Sequence, residues 1–308
     1  MPTTLEFDAE TREFLDALSK STRNVYTAGL RVFQVFYKKT PGRFLDAVEE
    51  DQRRLRHQRQ RIARNTIKEF VKYLQGGGKT PKTIRAYVSA VQSLASYYDT
   101  SITTKFTNIP ASVPVSTKFP WSLESFVKFV SLFEDAEMKS IAVTIFQCGL
   151  SLSDILALNY GDIKYEYDNN IIPLCFDLYR IKTDVPHLTF IGQWGHYLLK
   201  RQLKGRQLNL ETPLYRVSIR TIDEYFEGIA EEFVGEYRGR NPCRPHTLRA
   251  AFRTIEGDAG QDRDVAKFFM GQKLPEQDRV YHSRTRDGWR ALYIKTEDAL
   301  TPKDWRKI

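Results

Sequence analysis

A histidine, an arginine, a glutamine and a tyrosine near the C-terminal end of the chain could together act on a phosphodiester. His246 and Arg249 are three residues apart, a spacing that places both side chains on one face of a helix. A guanidinium can hold two phosphate oxygens at once, and the phenol of Tyr281 can attack phosphorus. Gln272, 23 residues after Arg249 and 9 before Tyr281, offers an amide donor. These four residues are the first candidates for a phosphoryl-transfer site.

The segments that contain these residues resemble the tyrosine recombinase and integrase family. That family has His-x-x-Arg, then a Gly-His or Gly-Trp turn, and then a nucleophilic Tyr. This chain has PHTLR at 245–249, MGQK at 270–273 and RVY at 279–281. His-x-x-Arg alone would be weak evidence, but three linked elements in this order and at these spacings are a specific signal.

The resemblance implies a site-specific DNA recombinase that cuts and rejoins DNA through a 3′-phosphotyrosine. Tyr281 would be the nucleophile, and Arg249 and His246 would bind the phosphate and handle protons. Lys182, in the segment 180–186, would be the general acid that the family carries on a β-hairpin. Gln272 stands where the family has His or Trp; its amide can donate to an oxygen but cannot carry a proton. The phosphotyrosine ester conserves the bond energy, so no metal and no other cofactor is implied.

One position departs from the family in a way that bears on activity. The segment CGLSLSDILALN at 148–159 resembles the family's first motif, TGLRxSELLxL, with Ser151 in place of the first catalytic arginine. A serine cannot supply a charged fork, although Ser151 and Asp154 suit the start of a helix. Losing one transition-state donor costs about 10²–10³ in rate. The other cations that could replace it are Arg253, Arg244, Arg180 and Arg279.

Two further interpretations of Ser151 stay open. The chain could be a slow recombinase, or a DNA-binding or architectural protein on the same fold that cleaves poorly or not at all. An engineered replacement of an arginine would give the same sequence. A nuclease or other metal enzyme is the weakest alternative, because the sequence has no His/Asp/Glu cluster with metal-ligand spacing.

The elements that must position these residues fall into two domains. The resemblance implies a helical, SAM-like core-binding domain over 1–105, a Pro/Ser/Thr-containing linker over 106–119 and a catalytic domain over 120–308 with a C-terminal tail helix. The fold class is therefore mainly α with a small β-sheet: a helical domain plus a mixed α/β tyrosine-recombinase catalytic domain. In the catalytic domain, periodicity predicts helices at 123–134, 137–148, 151–159, 194–204, 220–234, 246–258, 262–269 and 284–299, and short β segments at 171–176, 178–182 and 188–191.

The excess positive charge lies in the N-terminal third of the chain. Residues 1–105 contain 19 lysines and arginines against 11 acidic residues, a net charge of +8, whereas the remaining 203 residues have a net charge of only +1. This asymmetry favours a polyanionic partner held mainly by the first domain. The partner would be a double-stranded DNA recombination site, and by resemblance the protein would form a dimer on each site and a tetramer in synapsis.

Two stretches of the first domain are candidates for phosphate contact. Six arginines in the fourteen residues 51–64 indicate either a solvated helix face or a phosphate-binding surface, and guanidinium chemistry favours the second. Thr80-Pro81 suits a helix start, so the cations around it would lie at a helix N-terminus. The segment also resembles the family's SPKTIxxY sequence. The predicted DNA contacts are Arg53, Arg54, Arg56, Arg59, Arg61, Arg64, Lys79, Lys82 and Arg85.

The composition of the chain argues against several classes of protein. The sequence shows no apolar run of membrane-spanning length and no signal-peptide pattern at its start. Cys148, Cys175 and Cys243 are far apart and lack metal-ligand spacing. These observations predict a soluble cytoplasmic protein that neither binds a membrane nor contains a metal site. The tail helix would pack either on a neighbouring protomer, as in the family, or on its own domain.

Overall fold

The computed structural model describes residues 6–103, 109, 119–236, 241–274 and 284–308. The chain divides into two compact units, Met1–Val115 and Ser116–Ile308. Each unit has its own apolar core. Over the described residues the fold is mainly α with one small antiparallel sheet, as the sequence predicts. No helix in the described part of the chain combines the length and the apolar character that a membrane span requires.

The first unit is built from helices around an aromatic core. Phe33 lies at its centre, with ring centroids 5.0 Å from Phe44 and 5.1 Å from Phe70. These rings come from three helices whose apolar faces meet, which is how an amphipathic sequence gains most of its helical stability. The helices are α1 (Ala9–Asp16), α2 (Lys20–Tyr37), α3 (Pro41–Arg53), α4 (Ile62–Gly76) and α5 (Pro81–Tyr97).

The arginine-rich stretch 51–64 is not one helix, so its interpretation as a solvated helix face is wrong. Helix α3 ends at Arg53 and α4 begins at Ile62, with a loop between them. The buried carboxylate of Asp51 accepts hydrogen bonds from the backbone N–H groups of Gln60 (2.6 Å) and Ile62 (3.1 Å). These bonds close the loop back onto α3 and satisfy amide groups at the start of α4.

The predicted helix start at Thr80-Pro81 is confirmed. The hydroxyl of Thr80 accepts a hydrogen bond from the backbone N–H of Thr83 at 3.3 Å, and Pro81 occupies the first turn of α5. A proline is favoured there because the first helical N–H groups have no partner within the helix.

In the second unit, helix α7 forms the centre. Ten of its thirteen residues are buried, which is typical of a helix surrounded by other elements. The helices are α6 (Leu123–Ser131), α7 (Ala136–Cys148), α8 (Leu152–Leu156), α9 (Tyr160–Asp168), α10 (Gln193–Leu203), α11 (Ile219–Val234), α12 (Pro245–Asp258), α13 (Arg263–Phe269), α14 (Arg286–Ile294) and α15 (Glu297–Leu300), followed by a 3₁₀ turn at Trp305–Lys307.

The sheet is a single antiparallel hairpin. Strand β1 (Leu174–Tyr179) pairs with β2 (Pro186–Ile191), from Leu174 opposite Ile191 to Tyr179 opposite Pro186. The separate β segment predicted at 178–182 is wrong: its first two residues end β1, and the rest form the turn. In that turn the N–H of Asp184 bonds to the carbonyl of Arg180 at 2.7 Å.

The tail helix α14 packs on its own unit. The Trp289 ring stacks on Phe268 with centroids 4.0 Å apart, and the buried Tyr293 hydroxyl donates to the carbonyl of Gln147 at 3.1 Å. Arg290 forms an ion pair with Glu166 on α9. The described part of the tail therefore packs on its own domain, and packing on a neighbouring protomer stays a prediction.

Candidate active site

Helix α12 presents His246 and Arg249. Pro245 occupies its first turn, and the buried Leu248 and Phe252 hold it in the core. Residues three apart lie on neighbouring positions of a helix, so His246 and Arg249 face the same region of the surface. His246 is exposed there, whereas Arg249 is only 5% exposed.

Arg249 connects two segments that are far apart in sequence. One Nη atom donates to the carbonyl of Gly149 at 2.6 Å, and the other donates to the carbonyl of Met270 at 2.7 Å. Burial, together with the nearby positive charge of Arg180, lowers the pKa of Arg249 to about 10, so the guanidinium remains charged at neutral pH. Two of its five N–H groups are used by these carbonyls, and the side chain still lines the adjoining clefts.

Ser151 begins helix α8. Its hydroxyl donates to the Asp154 carboxylate at 2.6 Å and accepts from the Asp154 backbone N–H at 3.4 Å, which confirms the predicted helix start. Just before it, Gly149 adopts a φ of 64° against Phe252. A side chain on Gly149 would approach the Phe252 ring too closely, so the turn that leads to Ser151 requires glycine.

The other Asp154 oxygen holds the hairpin turn. It accepts from the backbone N–H of Ile181 at 3.1 Å, and Asp154 is 2% exposed. The adjacent Arg180 donates to the carbonyl of Gly271 at 3.1 Å. Lys182 is exposed on this turn and does not belong to the walls of the clefts described below. The structure therefore anchors the turn but does not bring the lysine into the clefts.

The turn before Gln272 is packed against a buried histidine. Gly271 has a φ of 60°, and a Cβ at this position would lie 2.7 Å from the His187 ring. Nδ1 of His187 is 3.2 Å from the Val185 carbonyl, which can only accept, so this nitrogen carries the proton. Burial lowers the pKa of His187, which keeps the ring neutral. Only glycine fits over this ring, and Gln272 follows it, half-buried.

Two adjoining clefts share His246 and Arg249 in their walls. The first has a volume of about 520 Å³, and Ser151 and Arg244 also line it. The second has a volume of about 700 Å³, and Gln272 and Arg253 also line it. The structure thus brings Ser151, His246, Arg249 and Gln272 around one connected depression. Tyr281 and Arg279 lie outside the described residues.

Sequence reasoning missed three contacts that support this site. Arg180 braces the hairpin by bonding to Gly271, His187 packs against Gly271, and Asp154 accepts a second hydrogen bond from Ile181. Of these, His187 had a readable signal. It lies on the buried side of β2, where side chains alternate between faces, so its position within PHLTFI predicts an inward orientation. Hydrogen bonds between distant segments leave no such local pattern.

Some of the predicted DNA-contacting arginines of the first unit bond within the unit, either to carboxylates or to backbone carbonyls. Arg53 and Arg54 form ion pairs with Glu49 (3.4 Å) and Glu50 (2.8 Å) one helical turn away. The exposed guanidinium of Arg59 donates to the carbonyls of Arg54 (3.1 Å) and Gln52 (2.8 Å), which braces the loop.

The remaining predicted DNA contacts lie at the surface. The side chains of Arg56 and Arg61 are exposed and have no partner among the described residues. Arg64 is half-buried at the start of α4. The cations around the start of α5 are all exposed, and these are Lys79, Lys82 and Arg85.

Within the described ranges, no three His, Cys, Asp or Glu side chains are grouped so that they could share a metal ion.

Comparison with known proteins supports the fold. No protein-family model matches the chain. The curated tyrosine recombinase XerD of Listeria innocua is 21% identical over 237 residues, which cover 71% of this chain and 77% of that protein.

Two solved structures show the same architecture. The XerH site-specific recombinase, bound to a palindromic difH substrate, matches with a TM-score of 0.60 and 17% identity over 93% of this chain and 88% of that one. A lambda integrase dimer bound to a COC′ core site matches with a TM-score of 0.58 and 12% identity, covering 87% and 96%. The shared fold, the curated relative and the order of the motifs agree: the chain is similar to tyrosine recombinases and has their fold.

Proposed function

We propose that this chain is a site-specific DNA recombinase that cuts and rejoins double-stranded DNA through a 3′-phosphotyrosine at Tyr281. The observation that carries the proposal is the cleft shared by His246, Arg249 and Gln272. These side chains come from a segment of 27 residues, and Arg249 is fixed in the wall of the cleft by two backbone carbonyls. Such preorganised donors are what stabilises the charge that develops on a phosphate in its transition state.

In the proposed reaction, the Tyr281 oxygen attacks the scissile phosphorus as the bond from phosphorus to the 5′ oxygen breaks. Arg249, His246 and Gln272 donate to the non-bridging oxygens. A neutral imidazole has one N–H donor and one acceptor nitrogen, so His246 can also take the phenol proton. Rejoining is the reverse displacement, in which a 5′-hydroxyl attacks the phosphotyrosine, so no metal and no nucleotide cofactor is consumed.

Lys182 is the proposed general acid that protonates the leaving 5′ oxygen. Its turn is anchored on Asp154 and on the carbonyl of Gly271, while its own side chain extends into solvent. That position suits a residue that meets its substrate only when DNA covers the face of the domain. Proton transfer of this kind contributes typically 10²–10⁴ in rate.

The proposed domains are a DNA-gripping core-binding domain over 1–105, a linker over 106–119 and a catalytic domain over 120–308. The first supplies exposed cations, and the second supplies the site. We propose a dimer on each recombination site and a tetramer in synapsis; the lambda integrase structure contains a dimer on its core site. Three free, buried cysteines favour a cytoplasmic location.

A specific observation favours a second candidate, a recombinase-fold DNA-binding or architectural protein with impaired or no cleavage. Ser151 supplies no charge, and its hydroxyl is already used by Asp154. Both candidates bind DNA with a steep dependence on salt. Only the enzyme forms a covalent bond to DNA.

The test begins with selection of binding duplexes from a random-sequence pool by the full-length protein. The selected duplexes are then nicked at successive positions, so that cleavage releases a short 5′-hydroxyl fragment that diffuses away. The protein is incubated with this set in EDTA and run on a denaturing gel. We expect a covalent adduct from the native chain and none from Tyr281→Phe.

Tyr165→Phe is the matched control, because this tyrosine is 72% exposed on α9 and has no assigned role; it should form the adduct normally. If the native chain and Ser151→Arg both bind the selected duplexes but form no adduct, the recombinase proposal is wrong and the architectural one stands.

A further inference from the structure

The cleft beside Ser151 contains an arginine outside the family motif. Attack on a phosphodiester places two negative charges on the non-bridging oxygens, and charged donors stabilise them best in a site shielded from water. Arg249 already shares its guanidinium with two carbonyls, and Ser151 is uncharged. If the chain cleaves DNA as proposed above, a second cation should face the phosphate.

Arg244 is the cation placed for this role. It lines the same cleft as Ser151, His246 and Arg249. It is the residue immediately before helix α12, and one Nη atom donates to the carbonyl of Asn241 at 2.9 Å. The helix N-terminus adds its own partial positive charge at this point.

The other described cations near the site are placed differently. Arg253 lines the second cleft, with Gln272, and not the cleft that contains Ser151. Arg180 donates to the Gly271 carbonyl beneath the hairpin turn and lines neither cleft.

Acidic side chains also line the cleft that contains Arg244. Asp223 and Glu227, one turn apart on α11, line the same cleft. Burial raises the pKa of Asp223, and the positive charge of Arg244 partly offsets this shift. Arg244 thus has Asp223 as an acidic neighbour, and a phosphate can take over the role of this carboxyl when DNA binds.

We propose that Arg244 supplies the second positive charge on the scissile phosphate, in place of the arginine that Ser151 lacks. Its guanidinium stays protonated throughout, donates to a non-bridging oxygen and takes no part in bond making or breaking. The inference rests on the proposed recombinase function.

The experiment compares adduct formation and DNA affinity for the native chain, Arg244→Ala, Arg244→Lys, Ser151→Arg and the double variant Ser151→Arg/Arg244→Ala, all on the selected nicked duplexes. Arg244 forms no side-chain cap on α12, so its removal deletes no capping hydrogen bond of that helix. Arg201→Ala, an exposed arginine of α10, is the matched control.

We expect the adduct rate of Arg244→Ala to fall about 10²–10³-fold, with DNA affinity within about threefold of the native value. Arg244→Lys keeps the charge but loses the fork, so its rate should fall about tenfold. The double variant should recover most of the rate, because the charge returns at position 151. Arg201→Ala should behave like the native chain.

An Arg244→Ala adduct rate within about threefold of the native rate overturns the inference. So does a native chain that forms no adduct while Ser151→Arg does, because then nothing replaces the missing charge. If DNA is bound but neither chain forms an adduct, the proposed function fails and the inference fails with it.

Discussion

The charged side chains of the two units are used in opposite ways. In the first unit most of the predicted DNA contacts are exposed, and Arg53 and Arg54 form ion pairs with Glu49 and Glu50 of α3. In the second unit Arg249 and Asp154 are buried and bonded across the fold. Exposed pairs contribute little to stability, whereas a buried charge that loses its partners is costly. The first arrangement suits binding of a polyanion, and the second suits exact positioning of a reacting group.

Arg249→Ala should have the largest effect, because it removes a phosphate donor and two internal hydrogen bonds. We expect the adduct rate to fall by 10²–10³ or more, and the free energy of unfolding of the second unit to fall by about 2–5 kcal/mol. All four tryptophans of the chain lie in this unit, so their fluorescence in urea measures its unfolding in the full-length protein. Full activity, or unchanged stability, would contradict the role assigned to this buried guanidinium.

Glu256 is a buried acidic group of the second unit whose titration should make stability depend on pH. This carboxyl on α12 is fully buried and accepts from the Thr296 hydroxyl at 2.8 Å, and burial raises its pKa from 4.5 to about 7. Between these values the folded protein holds a proton that the unfolded chain releases. Stability should therefore decrease as pH rises from about 5 to 7, by up to about 3 kcal/mol.

The measurement is urea unfolding at pH 5 and pH 8, again by tryptophan fluorescence. Glu256→Gln should lose this part of the pH dependence, whereas Glu224→Gln, at an exposed position of α11, should keep it. Equal pH dependence in the native chain and Glu256→Gln would show that Glu256 does not titrate in this range.

The exposed cations of the first unit should act on DNA affinity alone. Arg56→Ala and Lys82→Ala should each weaken binding of the selected duplex and reduce the slope of log K against log salt by about 0.9 per lost phosphate contact. Neither should change unfolding by more than about 0.5 kcal/mol. Titrations between 50 and 200 mM salt, roughly the range in which such contacts are resolved, measure the slope. An unchanged slope in both variants would remove these residues from the interface.

Arg59 is an exception to this difference between the two units, and its removal should have a small effect on stability. Its guanidinium bonds to two backbone carbonyls, as Arg249 does, although it is exposed. Arg59→Ala should destabilise the loop 54–61 by about 1 kcal/mol, seen as about fivefold faster amide hydrogen exchange there. Arg56→Ala is the comparison within the same loop and should leave exchange unchanged. Equal exchange in both would mean that Arg59 does not brace the loop.

Local features of this fold could be predicted from the sequence. The start of α5 at Thr80-Pro81 and the start of α8 at Ser151 follow from side chains that bond to amides three residues away. The pairing of His246 and Arg249 follows from helical spacing. Helix α9 is not among the predicted helices, although Asn159 and Asp162 form a capping box, because its three tyrosines and Gly161 obscure the helical period.

Contacts between distant segments could not be predicted in this way. Asp51 closes a loop by bonding to amides nine and eleven residues later, so a charge run that suggested a helix is a loop. Arg249 bonds to carbonyls 100 and 21 residues away. The residues near either side chain in sequence do not predict these hydrogen-bond partners, because the partners depend on how the whole unit packs.

The polar bridges around His187 have a consequence for how this site can vary. Arg249 joins Gly149 to Met270, Asp154 joins Ser151 to Ile181, and Arg180 joins the hairpin to Gly271. Because these segments support one another, the effects of substitutions among them should be strongly non-additive. Evolution of this site is then epistatic, because whether a substitution at one bridge is tolerated depends on the residues at the other bridges. Combinations of substitutions can therefore be tolerated even where each single substitution is not.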